Sequence, residues 1–285
     1  MALTWEFDCD DAIDFADAIG HFDALGTQVL ERDLDHSAHV LRRLCNNRRF
    51  LVEALHAQLQ DMPTFERLNP YTPQVFMLHV GAHYAVRAAI WMPPAQRRSD
   101  GIFVYEQAHD HNFDLLTVGY LGPGYRTALF EYDHASTAGF VGETVPVRAL
   151  GQQQLAQGRV MLYRGSRDIH VQFPCDDFSI SLNVLSAKAR PNRQFEFELA
   201  GDTPTTPATR ARIRRVLSGP QPAMSSRLAD ALGVPAVPAR LQYVADGAAD
   251  SAIRLAFAKA LASLTGGPNR EPPHDDARAI DTDTW

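Results

Sequence analysis

Apolar side chains recur at helical spacing between residues 10 and 62: Ile13, Ala16 and Ile19, then Leu25, Val29 and Leu30, then Val40, Leu41 and Leu44, then Leu51, Leu55 and Leu59. Charged residues fill the gaps, so three or four amphipathic helices fit this stretch. Pro63, Pro70 and Pro73 follow within MPTFERLNPYTP, which suits a linker because proline removes a backbone donor and stops helices. Beyond it the period shortens. FMLHV, YAVRAAIWM, GIFVYEQ, FDLLTVGYL, YRTALFEYD, RVMLYR, FSISLNVLS and FEFELA are short strand-like runs separated by turn signals, the texture of an all-β sandwich or barrel.

The tightest hairpin is expected where Gly122, Pro123 and Gly124 join FDLLTVGYL to YRTALFEYD, since glycine permits the backbone angles of a short reversal. Residues 205–264 return to a helical pattern, with Arg210, Arg212, Arg214 and Arg215 at one end and SAIRLAFAKALASL at the other. The residues from 267 onward are rich in Pro and Asp and read as a disordered acidic tail. The organisation predicted is a helical segment over 1–72, a β-barrel over 73–200, a second helical segment over 201–266 and a tail over 267–285. This is a mainly β protein with helical additions, whose flanks would cover barrel edges or build a partner surface such as a homodimer.

Composition narrows the function. With 285 residues, 45% of them hydrophobic, the chain can bury a full core. A net charge of −7 argues against a whole-chain footprint for nucleic acid or an anionic membrane. Residues 206–240 carry a local excess of arginine, and LADALGV resembles a helix-turn-helix phrase. Pro235 and Pro238 fall where the recognition helix would run, so nucleic-acid binding is not expected. Cys9, Cys45 and Cys175 form no paired spacing, and the acidic amino terminus lacks the charge and apolarity of a signal peptide. A cytoplasmic, membrane-free protein is the expectation.

The chemistry lies among the histidines. His109 and His111 in AHDHNF stand at i and i+2, which on a strand points both to one face and Asp110 to the other. His170, in GSRDIHVQF, sits beside a later strand, and the nearby Asp168 reads as a turn cap. Along FSISLNVLS, alternation places Ser179, Ser181, Asn183 and Leu185 on one face, toward a pocket or toward bulk water. Tyr125 and Arg126, with Tyr105, Tyr120 and Tyr132, surround the histidine pair and are candidates for a proton donor and a carboxylate clamp. His36, His39, His79 and His83 read as structural.

Taken together, HDHNFDLLTVGYLGPGYRTALFEYD and RVMLYRGSRDIHVQFPCDDFSISLNVLS resemble the metal-binding core of cupins, specifically the thiol dioxygenase group of cysteine dioxygenase-like enzymes, over residues 84–186. The resemblance implies a double-stranded β-helix (jelly-roll) barrel holding ferrous iron on His109, His111 and His170. Dioxygen and a small-molecule or peptide substrate would be its partners. Leu115 and Leu116 stand where most other cupins place a glutamate. The group's Ser-x-His-x-Tyr motif corresponds to Ser181, Leu182, Asn183, Val184 and Leu185, so Asn183 and Leu185 replace its histidine and tyrosine. Its substrate-carboxylate arginine has Arg87 as the nearest counterpart, out of register, and its crosslinking cysteine is missing. The expected function is therefore a three-histidine iron oxygenase acting on an amino-acid-derived or peptide substrate rather than on free cysteine. Imidazole also suits zinc, copper or nickel. Two alternatives stay open: a non-redox metal cupin such as an isomerase or hydrolase, and a metal- or ligand-sensing regulator with basic C-terminal helices.

Overall fold

A computed structural model describes residues 3–60, 75–93, 105–186, 193–200 and 207–218. Three α-helices lie near the amino terminus: α1 (Phe15–Leu25), α2 (Leu34–Asn46) and α3 (Phe50–Leu59). The side chain of Asn47 accepts hydrogen bonds from the Arg49 and Phe50 amides, each at 3.2 Å, and so caps the start of α3. None of the described helices is long and apolar enough to cross a membrane.

Thirteen strands lie among the described residues: β1 (Leu3–Trp5), β2 (Val75–Val80), β3 (Tyr84–Trp91), β4 (Ala108–His109), β5 (Leu115–Leu121), β6 (Arg126–Glu131), β7 (Thr144–Pro146), β8 (Arg148–Gln154), β9 (Val160–Tyr163), β10 (Asp168–Gln172), β11 (Ser179–Ser186), β12 (Gln194–Ala200) and β13 (Arg210–Ser218); β2, β3, β5, β6, β9, β11 and β12 fall on expected runs, whereas β1, β7 and β8 were not expected. They form two antiparallel sheets, β1-β9-β5-β11-β3-β2 and β7-β13-β12-β4-β10-β6-β8. Two antiparallel sheets with helices packed on one of them are the mainly β architecture with helical additions that the sequence predicts.

Strand alternation sorts the side chains into three layers. Val86, Ala88, Leu116, Val118, Leu162, Leu182 and Val184 leave the first sheet on its outer face and pack against Phe22, Leu41, Leu44 and Cys45 of α1 and α2. Each such fully buried Leu, Val or Phe contributes about 1.5–3 kcal/mol of hydrophobic stabilisation, which is what holds the amino-terminal helices to the barrel. On the second sheet, Ala128, Phe130, Ile169, Val171, Phe195 and Phe197 form an outer core with Tyr132, Val145 and Val147. Between the sheets lie Ala89, Trp91, Tyr105, Leu115, Tyr125, Leu129, Met161, Tyr163 and Cys175.

Two expectations are corrected. β5 and β6 do not pair as a hairpin: β5 bonds to β9 and β11, and β6 to β10 and β8. Gly122 and Gly124, at φ 79° and 75°, carry the chain from one sheet to the other. A Cβ on Gly124 would lie 1.8 Å from the Leu155 carbonyl oxygen. Gly124→Ala is therefore expected to destabilise the protein by more than about 2 kcal/mol, measured by urea denaturation, because a left-handed backbone and a clash add.

Residues 210–218 are strand β13, not the start of a helix. In RARIRR the period is two: Ala211 and Ile213 are fully buried while Arg210, Arg212 and Arg214 are exposed, and β12 supplies the hydrogen-bonding partner. LADALGV, the helix-turn-helix phrase, lies outside the described residues. Tyr105–Gln107 is not a strand either; the GIFV before it, the proline-rich linker, and the expected helices and tail beyond 218 lie outside the described residues.

Candidate metal centre

β4 pairs with β10 so that His109 stands directly opposite His170, and alternation turns both rings inward, away from Ile169 and Val171. His111 follows two residues on, past the end of β4, where its carbonyl oxygen accepts the Ser166 amide at 2.6 Å. Ring centroids lie 4.2 Å apart for His109 and His170, 5.1 Å for His109 and His111, and 4.9 Å for His111 and His170. All three can present a donor nitrogen within 4.8 Å of the others, and among the described residues this is the group that could hold a metal.

The donor geometry fits an ion. Nε2 of His111 and Nε2 of His170 are 3.1 Å apart. Two nitrogens sharing a metal with bonds of about 2.1 Å stand roughly 3.0–3.4 Å apart, from octahedral to tetrahedral angles. His109 Nδ1 is 3.0 Å from the Gln107 carbonyl, which can only accept, so Nδ1 carries the proton and Nε2 keeps its lone pair. The Gln194 amide lies 3.3 Å from His111 Nδ1 and can orient that ring in the same way with its oxygen turned inward. Burial lowers the basicity of all three imidazoles, well below the ordinary range for His111 and His170; the neighbouring imidazoles add to it at those two and the Arg87 charge at all three, while the Gln107 carbonyl and the Glu196 charge act against it at His109. Neutral imidazole is the form that ligates.

The wall opposite is polar. Arg87, Asn183, Thr117 and Met161 form one cross-strand row over β3, β11, β5 and β9, on the face away from the helices. Thr117 Oγ1 donates to Asn183 Oδ1 at 2.6 Å, and Trp91 Nε1 donates to Ser181 Oγ at 3.0 Å. The phenols of Tyr125 and Tyr163 meet at 3.2 Å, and the Tyr163 ring lies 4.5 Å from His170. Burial pushes both phenols up, so both are protonated at neutral pH. The face of β11 carrying Ser181 and Asn183 thus lines the barrel interior rather than facing bulk water.

Other candidates are not brought to the site. Arg126 is exposed on the opposite face of β6, its guanidinium 5.8 Å from the Phe173 ring centre, which corrects its assignment as a clamp. Tyr120 faces the helices and donates to the Asn47 carbonyl at 3.1 Å. Tyr132 donates to Asp110 at 2.6 Å within the outer core. Asp110 points away as expected; burial pushes its carboxyl up to about 7 against hydrogen bonds from the Phe195 amide and Tyr132. Leu115 occupies the interior without offering a ligand, and Leu116 turns outward. Arg87, Tyr163, Thr117 and Gln194 belong to the site although sequence reasoning passed over them or set them aside. A lone arginine inside the apolar run YAVRAAIW was the available signal, because such a charge needs a reason to be there.

Asp168 caps the turn before β10, accepting from the Arg164 amide at 2.8 Å and from its guanidinium at 2.6 and 3.0 Å. Arg164 also reaches Glu131, which is paired with Arg148 and Arg167 as well. Burial alone would raise the Glu131 carboxyl, but the hydrogen bonds and charges of Arg167 and Arg148 prevail and hold it at about 2. A depressed folded-state value means that its stabilisation is present above the unfolded value of about 4.3 and fades as pH falls toward 2. Wild-type thermal stability is expected to drop over that window more steeply than that of Glu131→Gln, in melts compared at pH 5, 4 and 3.

No protein-family model matches the chain. No curated protein matches it either. Among solved structures, similarity is found to the DMSP lyases RdDddP and RnDddQII at 14% identity and a TM-score of 0.27, covering 42% of this chain and 50% of that one. A cupin domain (bp2299) from Bordetella pertussis Tohama I shows 13% identity and a TM-score of 0.25, over 41% of this chain and 94% of its own. The DMSP lyase DddQ from Ruegeria pomeroyi DSS-3 shows 15% identity and a TM-score of 0.23, over 40% and 46%. The chain thus spans about half the length of the first of these structures. Two antiparallel sheets with three inward histidines define the class: a mainly β two-sheet protein with a candidate metal site.

Proposed function

We propose that the protein is a metal-dependent enzyme of the three-histidine cupin type, an iron oxygenase whose substrate is an amino-acid-derived molecule or peptide bearing a carboxylate. The observation that carries this reading is the pairing of the inward-facing His109–His111–His170 cluster with a facing polar row that contains Arg87. When bound there, ferrous iron supplies redox chemistry and open positions for substrate and dioxygen.

The chain's own residues supply the rest. Arg87 offers a planar guanidinium to a carboxylate, and its charge already acts on all three imidazoles and on Tyr125. Asn183 and Thr117, bonded to each other beside it, orient the remainder of the substrate. Tyr125 and Tyr163, kept protonated by burial, hold a proton at their phenolic oxygens for a nearby acceptor. Trp91, Leu115, Leu129 and Met161 exclude water.

The test is elemental analysis of protein purified without added metal, followed by anaerobic loading with ferrous iron and an oxygen electrode. About one iron per chain, with oxygen uptake on thiols, amino acids or peptides, is the expected result. Turnover with zinc or manganese and no oxygen uptake would replace it with a non-redox cupin; absence of any bound metal would reject it.

A further inference from the structure

Glu196 is a carboxylate for which the three-histidine reading has no use. β12 pairs with β4 so that Glu196 stands directly opposite His109, which in turn stands opposite His170. The three side chains therefore form one row across adjacent strands on the face turned away from Phe195 and Phe197. Glu196 is only 7% exposed, and its charge acts on the His109 ring. On its other side are two exposed arginines of β13: Arg215 Nη2 is 2.6 Å from Oε2, and Arg214 Nε is 3.8 Å from Oε1. The Arg215 contact is an ion pair without hydrogen-bond geometry, so Oε2 is shielded from water yet takes no hydrogen bond. A buried carboxylate oxygen in that condition costs free energy unless something else uses its charge.

We infer that Glu196 is a positioning residue of the metal centre: from the strand beside His109 it supplies the negative charge that three neutral imidazoles lack, and Arg215 competes with the bound dication for that charge. A carboxylate charge that Leu115 and Leu116 do not offer thus comes from β12, beside the histidines rather than among the ligands. This inference rests on the three-histidine reading.

The two partners of the ion pair should then act with opposite sign, which a purely structural pair could not do. Removing Glu196 takes away attraction for the dication; removing Arg215 takes away repulsion and leaves the carboxylate to the ion. The experiment is calorimetric titration of cobalt(II) into the metal-free full-length chain, for wild type, Glu196→Gln and Arg215→Ala. Binding is expected to weaken roughly 10- to 100-fold in Glu196→Gln and to tighten about threefold or more in Arg215→Ala. Melting temperatures of the metal-free variants provide the structural control, since each loses the same ion pair. Equal weakening in both variants, or no change in either while wild type binds cobalt, overturns the role of Glu196 and leaves the histidine site standing. No binding by wild type overturns both. Should Glu196→Gln fail to fold, Arg215→Ala decides alone, tighter binding supporting the inference and unchanged or weaker binding rejecting it.

Discussion

The protein with His109 and His111 both changed to alanine is expected to bind no stoichiometric metal, and His170→Ala alone to weaken binding by roughly 100-fold or more. The three donors come from two segments about sixty residues apart, brought together by the register of β4 on β10. Losing two of them leaves a single imidazole, and a single ligand has no chelate advantage over water. His170 sits at 1% exposure between the rings of His109 and Tyr163, so its removal also opens a small cavity. That cavity should cost the metal-free protein about 1–2 kcal/mol. Metal content by elemental analysis, set beside urea denaturation of the metal-free forms, separates the two effects. Retention of one ion per chain in the double variant would show that the histidines are not the ligands.

Arg87→Met should produce the second large effect, and in a different quantity. Arg87 is half-buried, and a guanidinium that becomes desolvated against a bound carboxylate is worth roughly 2–5 kcal/mol on truncation, or about 30- to 4000-fold in binding. Carboxylate-bearing ligands should therefore lose affinity by at least about 30-fold. Metal affinity should move the other way. Arg87 lies on the wall facing the imidazoles and its charge disfavours positive charge on all three, so removing it relieves repulsion toward a dication. Arg87→Lys keeps the charge and loses the planar fork, and should fall between wild type and Arg87→Met for carboxylates. Calorimetry with metal first and a carboxylate ligand second reads both quantities on one sample. A variant that loses metal together with ligand would place Arg87 in the metal site's framework rather than at the substrate.

Local periods were legible along the chain, and the structure follows them. The apolar stripe through Leu41 and Leu44 became the buried face of α2, and Leu182 and Val184 alternate with Ser181 and Asn183 along β11 as expected. The HxH pair was legible for the same reason: on an extended chain, positions i and i+2 share a face whatever surrounds them. Where two periods competed, sequence reasoning chose wrongly. RARIRR reads as a basic helix only if the alternation of Ala211 and Ile213 with the arginines is overlooked.

Legible without the structure were the amino-terminal helices, the strands with a strong alternation and the two faces of each, because those depend on bond geometry and on neighbours within a few residues. The sequence could not say which face meets which. That Asn183 lines the interior, that Arg126 faces outward while Arg87 faces the histidines, and that Glu196 stands beside His109 all follow from pairings between segments far apart in the chain. The tertiary structure alone decided that Gly122 and Gly124 cross between sheets, because β9 and β11 had already taken both edges of β5. Edge occupancy is a competition among all strands at once, and no local stretch of sequence contains its outcome.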